Sequence, residues 1–233
     1  MMPNQHSGMR HPLNTNLAIH TGPVYKGFRV LTPEGGLIKG YLDTVLKTTD
    51  YALDEHPRTY AMRFDLRWPR ADEFHVLDYS NEPVGRFVKH LRGSIEEHYH
   101  TAVAQGRRAH QSALRYIWAR EVGASGRPHL HFLTYVNRDT YFGMGKYGSV
   151  DRNMYNRIRD AWDYALDIQD GFFPGLVHMC GDFHVFARDG RPGWADLIQA
   201  GSYLCKLESK EYGTPFHAFG SSCKNERFRI ARR

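Results

Sequence analysis

The chain has 233 residues, of which 41% are hydrophobic and 24% are charged. These proportions favour a folded core, and no apolar run approaches the roughly 20 residues that span a bilayer, so no membrane partner is expected. The formal net charge of +6 is compatible with nucleic acid as a partner without identifying one. Three cysteines without a Cys-x-x-Cys pair argue against a disulfide framework or structural zinc, and favour a cytoplasmic location.

The first half of the chain predicts an arm, a helix, a strand and a second helix. Residues 1–24 are polar and predict a flexible N-terminal arm, whereas residues 25–233 show no domain boundary and predict one domain. Apolar residues at helical spacing predict a helix from about residue 37 to 55. Alternation over 58–68 predicts a strand with one polar face, and the segment 83–105 predicts the second helix.

The second half predicts a hairpin followed by helices and a further strand. Strands over 112–122 and 128–136 are joined by a glycine turn, so they should pair. Helices over 150–170 and 193–210 flank a strand over 176–187 that is broken at Gly181. We therefore expect an α+β fold with a central antiparallel sheet of about five strands, and helices mainly on one face in a ferredoxin-like arrangement.

Two histidines separated by one apolar residue stand on the second hairpin strand. Because side chains alternate along a strand, His129 and His131 lie on the same face. Neutral imidazoles are common metal ligands. Glu121 ends the preceding strand and is brought back beside them by the turn, so the three residues can form an open metal site. The alternative is a pair of histidines that only make hydrogen bonds, with a solvated glutamate beside the loop.

A second constellation lies near the end of the chain. Tyr203 and Lys206 are three residues apart, which places both on one face if the segment is helical. A neutral phenol is a weak nucleophile, and a neighbouring ammonium can offset charge that develops on a phosphate.

The combination of these residues resembles the HUH endonucleases, more narrowly the rolling-circle replication initiators. The stretch Glu121-Val-Gly-Ala-Ser-Gly-Arg-Pro-His-Leu-His is similar to their metal motif, and Tyr203-Leu-Cys-Lys206 is similar to their tyrosine motif. Phe64-Asp-Leu-Arg-Trp-Pro is a looser match to their first motif. The resemblance implies an RRM-like HUH fold, Mg²⁺ or Mn²⁺ on Glu121, His129 and His131, and Tyr203 as the single nucleophile with Lys206 assisting.

Further blocks resemble the filamentous-phage (inovirus) replication proteins and their prophage relatives. They are Asn14-Thr-Asn-Leu, His56-Pro-Arg-Thr-Tyr-Ala-Met-Arg-Phe-Asp-Leu-Arg, Ser202-Tyr-Leu-Cys-Lys and Phe216-His-Ala-Phe-Gly-Ser-Ser. The resemblance implies an enzyme in the bacterial host cell that nicks and rejoins single-stranded DNA or an origin hairpin through a 5′-phosphotyrosine. No Gly-x-x-x-x-Gly-Lys-Ser/Thr motif is present, so a host helicase is the expected partner.

Contacts to such a DNA strand would come from basic and aromatic side chains. The candidate phosphate contacts are Arg127, Lys146, Lys210 and Lys224. The candidate stacking groups are Trp118, Tyr135 and Tyr141. For each basic candidate the equal alternative is a solvated surface charge, and for each aromatic candidate it is a position in the core. Three other readings stay open: a non-nicking DNA-binding regulator on the same fold, a transposase of the same superfamily, and a metal hydrolase that does not use the tyrosine.

Overall fold

A sheet of five antiparallel strands organises the part of the chain that the computed structural model describes, namely residues 9–12, 14–70, 78–123, 126–168, 173–208 and 210–222. Four short strands precede it and form two antiparallel pairs. β1 (Ile19–His20) pairs with β4 (Leu37–Ile38), and between them in the chain β2 (Val24–Tyr25) pairs with β3 (Phe28–Arg29). The sheet consists of β5 (Arg58–Arg67), β6 (Arg115–Val122), β7 (Pro128–Asn137), β8 (Val177–Phe186) and β9 (Phe219–Ser221). Its spatial order is β8-β5-β7-β6-β9, which confirms the predicted α+β class.

The helices in the described ranges are α1 (Lys39–Glu55), α2 (Glu82–Ala104), α3 (Met154–Ala165) and α4 (Ala195–Gly201). The helix predicted over 150–170 is shorter, because the side chain of Asn153 caps its start and Asp167 has a left-handed φ of 57° just after its end. Residues 169–170 of that prediction lie outside the described ranges.

Helices cover both faces of the sheet, which corrects the expectation of helices mainly on one face. On one face, Phe64 and Phe132 stack with ring centroids 5.5 Å apart, and Phe87 of α2 packs on Phe132 at 4.9 Å. Helix α3 joins the same core. On the other face, α1 and α4 pack on Leu133 and Tyr135. Only part of this second face is covered by α1 and α4, and the candidate site lies beyond it.

Strand β8 is continuous through Gly181 rather than broken there. Arg63 pairs with Gly181 while Phe64 pairs with Met179, so Cys180 is the extra residue of a bulge. The irregularity that the glycine predicted is therefore present, but the strand pairs on either side of it.

The described part of the N-terminal segment, which the sequence predicts to be a flexible or loosely docked arm over 1–24, is docked. Ile19 is buried and pairs with Ile38, and the buried ring of His11 lies edge-on to Tyr212 at 4.4 Å. Residues 1–8 and 13 lie outside the described ranges. Among the described helices, none has both the length and the apolar character needed to cross a membrane.

Candidate metal centre

Strand register brings the candidate ligands together. Glu121 on β6 is directly opposite His129 on β7, and Asp65 on β5 is directly opposite His131. Directly opposite residues project to the same face, and residues two apart on a strand do so as well. The hairpin therefore places Glu121, His129 and His131 on one face, as the sequence predicted.

The donor atoms of these residues are close enough to hold a metal ion. The Oε2 atom of Glu121 lies 3.3 Å from Nε2 of His131 and 3.9 Å from Nε2 of His129, and the ligand atoms all lie within 4.8 Å of one another. The side chains of Glu121 and His131 are 2% exposed, whereas that of His129 is 30% exposed. A bound ion would thus have two buried ligands, Glu121 and His131, and would be accessible to solvent and substrate next to His129.

The chemistry of His131 fits a metal ligand. Its Nδ1 atom lies 2.5 Å from Oδ1 of Asp65, and its buried Nε2 atom makes no well-aligned hydrogen bond with any described group. A hydrogen bond from Nδ1 to a carboxylate fixes the ring and directs Nε2 toward a metal. Burial alone would lower the pKa of His131, but the hydrogen bond to Asp65 and the contact with Glu121 outweigh it and raise the pKa. Burial and the neighbouring His131 lower the pKa of His129, which favours its neutral, ligating form.

Two lysines share the carboxylate of Glu121. Lys210 Nζ donates to Oε1 at 3.0 Å, and Lys206 Nζ lies 3.5 Å from Oε2. Burial would raise the pKa of Glu121, but the interaction with His131 and these ammonium groups hold it well below its usual range. The side chain of Lys210 is fully buried, which corrects its prediction as a DNA phosphate contact.

Tyr203 lies against His131, one of the candidate metal ligands. Its ring centroid is 4.9 Å from that of His131, and the two planes are nearly perpendicular at 80°. Lys206 Nζ lies 3.8 Å from the centroid of the Tyr203 ring, and the guanidinium carbon of Arg63 lies 4.1 Å from it. The phenol is thus placed beside both the candidate metal site and two cations.

The predicted helix over 193–210 is replaced by a short helix and a 3₁₀ turn. Helix α4 ends at Gly201, a 3₁₀ turn covers Ser202–Cys205, and Lys206 has extended backbone with φ −55° and ψ 142°. A side chain on Gly201 would approach Val45 Cγ1 to 2.9 Å and Leu133 Cδ2 to 3.1 Å. The close approach of this glycine lets the turn that carries Tyr203 reach the sheet.

A cleft with a volume of about 710 Å³ opens beside these residues. Asp65, His129, His131 and Tyr203 form one part of its wall. Its described basic lining residues are Arg67, Arg70 and Arg127, with Phe173 and Pro174 on the apolar side. Arg127, predicted as a DNA contact, therefore stands next to the metal ligands.

Comparison with known proteins assigns the chain to a family. Residues 20–222 match the family described as the YagK/YfjJ C-terminal domain. The chain belongs to this family. It is 30% identical to uncharacterized protein YagK of Escherichia coli K12, covering 78% of this chain and 91% of YagK. It is 25% identical to uncharacterized protein YfjJ of the same strain, covering 81% of this chain and 96% of YfjJ.

No solved structure matches this YagK/YfjJ-family chain. The names of the two relatives state no activity, so the resemblance to HUH endonucleases rests on the residues of this chain.

The other predicted DNA contacts that the structure describes do not line the cleft of this YagK/YfjJ-family chain. Lys146 is exposed in the loop before α3, on the side of the sheet that α2 and α3 cover. Lys224 lies outside the described residues. The predicted stacking groups are core residues instead, since each is less than 9% exposed: Trp118, Tyr135 and Tyr141.

Sequence reasoning missed two residues at the site of this family member. Arg63 contacts the Tyr203 ring, and Asp65 orients His131. The available signal was the polar face of the strand over 58–68, which presents Arg63 and Asp65 toward the same side as the histidines.

Proposed function

We propose that this chain is a divalent-metal-dependent endonuclease that cuts and rejoins single-stranded DNA through a covalent bond to Tyr203, and that it initiates rolling-circle replication. The observation that carries the proposal is the contact between the Tyr203 ring and the ring of His131, 4.9 Å between centroids. This contact puts a nucleophile beside a candidate metal site, which a purely structural histidine cluster does not require.

The metal-binding residues would be Glu121, His129 and His131, with Asp65 fixing the ring of His131. One carboxylate oxygen and two imidazole nitrogens leave further coordination positions open. Mixed nitrogen and oxygen ligands favour Mn²⁺ by affinity, while cellular abundance favours Mg²⁺. When bound, such an ion would polarise and orient a non-bridging oxygen of the scissile phosphate.

The reaction exchanges one phosphodiester for another. The phenolic oxygen of Tyr203 attacks the phosphorus in line, the bond from phosphorus to the 3′-oxygen breaks, and the phenolic proton is lost as the 3′-oxygen gains one. Lys206 lies 3.8 Å from the centroid of the Tyr203 ring, where its charge offsets negative charge on the phenol and phosphate. The products are a 5′-phosphotyrosine and a 3′-hydroxyl that can prime synthesis, and the reverse reaction rejoins the strand.

The cleft supports a single strand as substrate. Arg67, Arg70 and Arg127 supply positive charge along a cavity that reaches His129 and Tyr203. A phosphate inside a duplex is held by a rigid helix, whereas a single strand can bend its backbone into such a cleft. Separation of the strands would then be left to a helicase.

The experiment is a covalent-adduct gel with labelled single-stranded DNA from the element's own replication origin and Mn²⁺. The wild-type chain should form a band that survives denaturation, and Tyr203→Phe should not. Tyr212→Phe is the control because Tyr212 is the next tyrosine in the chain and packs on His11 instead. An adduct that persists in Tyr203→Phe, or its absence in the wild type, contradicts the proposal.

A second candidate function is a non-nicking DNA-binding regulator, and the two lysines favour it. Lys206 and Lys210 already pair with Glu121, so the buried carboxylate has cationic partners without an ion. On this reading the chain would bind DNA equally well with EDTA and with Mn²⁺, and would form no adduct.

A further inference from the structure

We propose that Lys210 is a positioning residue that makes metal binding at this centre depend on a bound phosphate anion. The inference rests on the proposed function only for the identity of that anion, a phosphate of a single DNA strand. Lys210 Nζ donates to Oε1 of Glu121 at 3.0 Å. This contact leaves Oε2 as the oxygen that faces His129 and His131.

The charges around the centre give the reason. Among the described side chains that contact one another here, two carboxylates, Asp65 and Glu121, face three cations, Arg63, Lys206 and Lys210. The cluster therefore carries excess positive charge before a metal ion enters, and a divalent ion adds to it. Ionic interactions in such buried surroundings are poorly screened, so a metal alone should bind weakly.

An anion in the neighbouring cleft would remove this penalty. His129 lines both the metal centre and the cleft, and Arg127 lines the cleft beside it. A phosphate there would compensate the charge of the metal, and the metal would in turn hold the phosphate. Because coupling between two ligands is reciprocal, each should tighten the binding of the other by the same factor.

Lys210 is the cation that the proposed chemistry does not otherwise use. Its side chain is fully buried, so it cannot reach a strand in the cleft. Lys206 and Arg63, by contrast, touch the ring of Tyr203. Removing only the charge of Lys210 therefore separates the electrostatic coupling from contacts with the nucleophile.

The test measures the Mn²⁺ dissociation constant by electron paramagnetic resonance in Tyr203→Phe protein, where no adduct can form. Titrations are made without DNA, with a short single-stranded oligonucleotide, and with its uncharged methylphosphonate analogue, each corrected for Mn²⁺ bound by the DNA alone. In the parental protein the charged oligonucleotide should tighten Mn²⁺ binding by about tenfold or more, a common size for such coupling, and the uncharged analogue should not.

The added substitution Lys210→Met should reduce this enhancement to about threefold or less, because Mn²⁺ alone should then bind more tightly. If Lys210→Met also displaces the carboxylate of Glu121, the Mn²⁺ dissociation constant changes by the same factor with and without the oligonucleotide. This effect therefore cancels in the ratio of the two constants. Lys210→Arg should restore the enhancement, and Lys89→Met, at an exposed lysine of α2 on the other side of the sheet, should leave it unchanged. If Lys210→Met does not fold, Lys206→Met, which removes the cation nearest Oε2, should lower the same ratio.

An unchanged enhancement in Lys210→Met, or equal enhancement by the uncharged oligonucleotide, overturns the inference. The outcome is independent of catalysis: coupling without any adduct from the wild-type chain would refute the nicking function alone. An adduct with no coupling between Mn²⁺ and phosphate would refute this inference alone.

Discussion

Asp65 accepts a hydrogen bond from Nδ1 of His131 over 2.5 Å, while Glu121 faces the other nitrogen of the same ring. Asp65→Asn should therefore weaken Mn²⁺ binding by about 10- to 100-fold, since the carboxylate that fixes a metal-ligating histidine is worth that much in other sites. Isothermal titration calorimetry with Mn²⁺ measures the change.

The matched control for Asp65→Asn is Asp182→Asn. Asp182 also accepts a hydrogen bond, from the hydroxyl of Tyr60 at 2.7 Å, but it is opposite Met62 on the other face of the sheet. Equal losses in the two variants would mean that Asp65 acts through general stability and not through His131.

The two histidines should differ in their effect on folding in EDTA. His131→Ala should lower the free energy of unfolding by about 3 kcal/mol or more, because it leaves Asp65 and Glu121 without their shared buried partner. His129→Ala should cost less than about 1 kcal/mol, because that ring is partly exposed and only 3.9 Å from Glu121.

Urea unfolding of both histidine variants measures these differences, and Mn²⁺ titration of the same samples should show that each loses metal affinity. A His129→Ala protein that binds Mn²⁺ as the wild type does would remove His129 from the ligand set.

Metal binding should release a proton near neutral pH. The pKa of His131 is raised because the hydrogen bond to Asp65 and the contact with Glu121 outweigh burial, so a protonated fraction persists at and above its ordinary value. A metal must displace that proton, whereas His129, whose pKa is lowered by burial and by His131, is already neutral. Affinity should accordingly rise with pH through the pKa of His131 and then level off.

Calorimetry in two buffers of different ionisation enthalpy counts the released protons. We expect up to one per ion near pH 6.5 and fewer at higher pH, for the ordinary histidine pKa is about 6.5. Heats that do not depend on the buffer would show that no ligand changes its protonation.

Gly201 should be intolerant of a side chain. Gly201→Ala places a methyl group 2.9 Å from Val45 and 3.1 Å from Leu133, so α4 must move away from the sheet, with a cost of roughly 1 to 3 kcal/mol. Because Tyr203 follows two residues later, this movement should also displace its phenol. Adduct formation should then fall by more than the increase in the unfolded fraction accounts for.

Gly85→Ala is the control for this change. Gly85 lies in α2 with nothing within 4 Å of an added methyl, so alanine there should stabilise the protein by about 0.5 kcal/mol. Thermal unfolding followed by circular dichroism compares the two variants. A Gly201→Ala protein as stable and as active as Gly85→Ala would show that the turn tolerates displacement.

The grouping of the candidate metal ligands could be predicted from the sequence because their placement depends on short-range rules. A two-residue period puts His129 and His131 on one face, and a short turn returns Glu121 to them. Lys210 could not be placed in this way, since it reaches Glu121 from 89 positions away through an irregular segment. No local pattern specifies such a contact.

Other errors have equally physical causes. Amphipathic spacing shows that a helix buries one side, but not which face of the sheet receives it, so helices on both faces were not expected. The end of α4 at Gly201 was missed because no proline follows and the 3₁₀ turn has weak sequence preferences. Aromatic side chains such as Trp118 fit both stacking on DNA and a place in the core by residue type alone, and in the structure they fill the core.

The pairing of β6 with β7 also decides which charged side chain faces the two histidines. Arg120, the neighbour of Glu121, is opposite Leu130 on the other face, where it contacts Glu211 at 3.3 Å. A deletion of one residue within β6 would exchange the two faces and present a guanidinium to His129 and His131. The turn can thus vary in length, but a one-residue shift within the strand is not tolerated, because it would replace the carboxylate that faces the two histidines with a guanidinium.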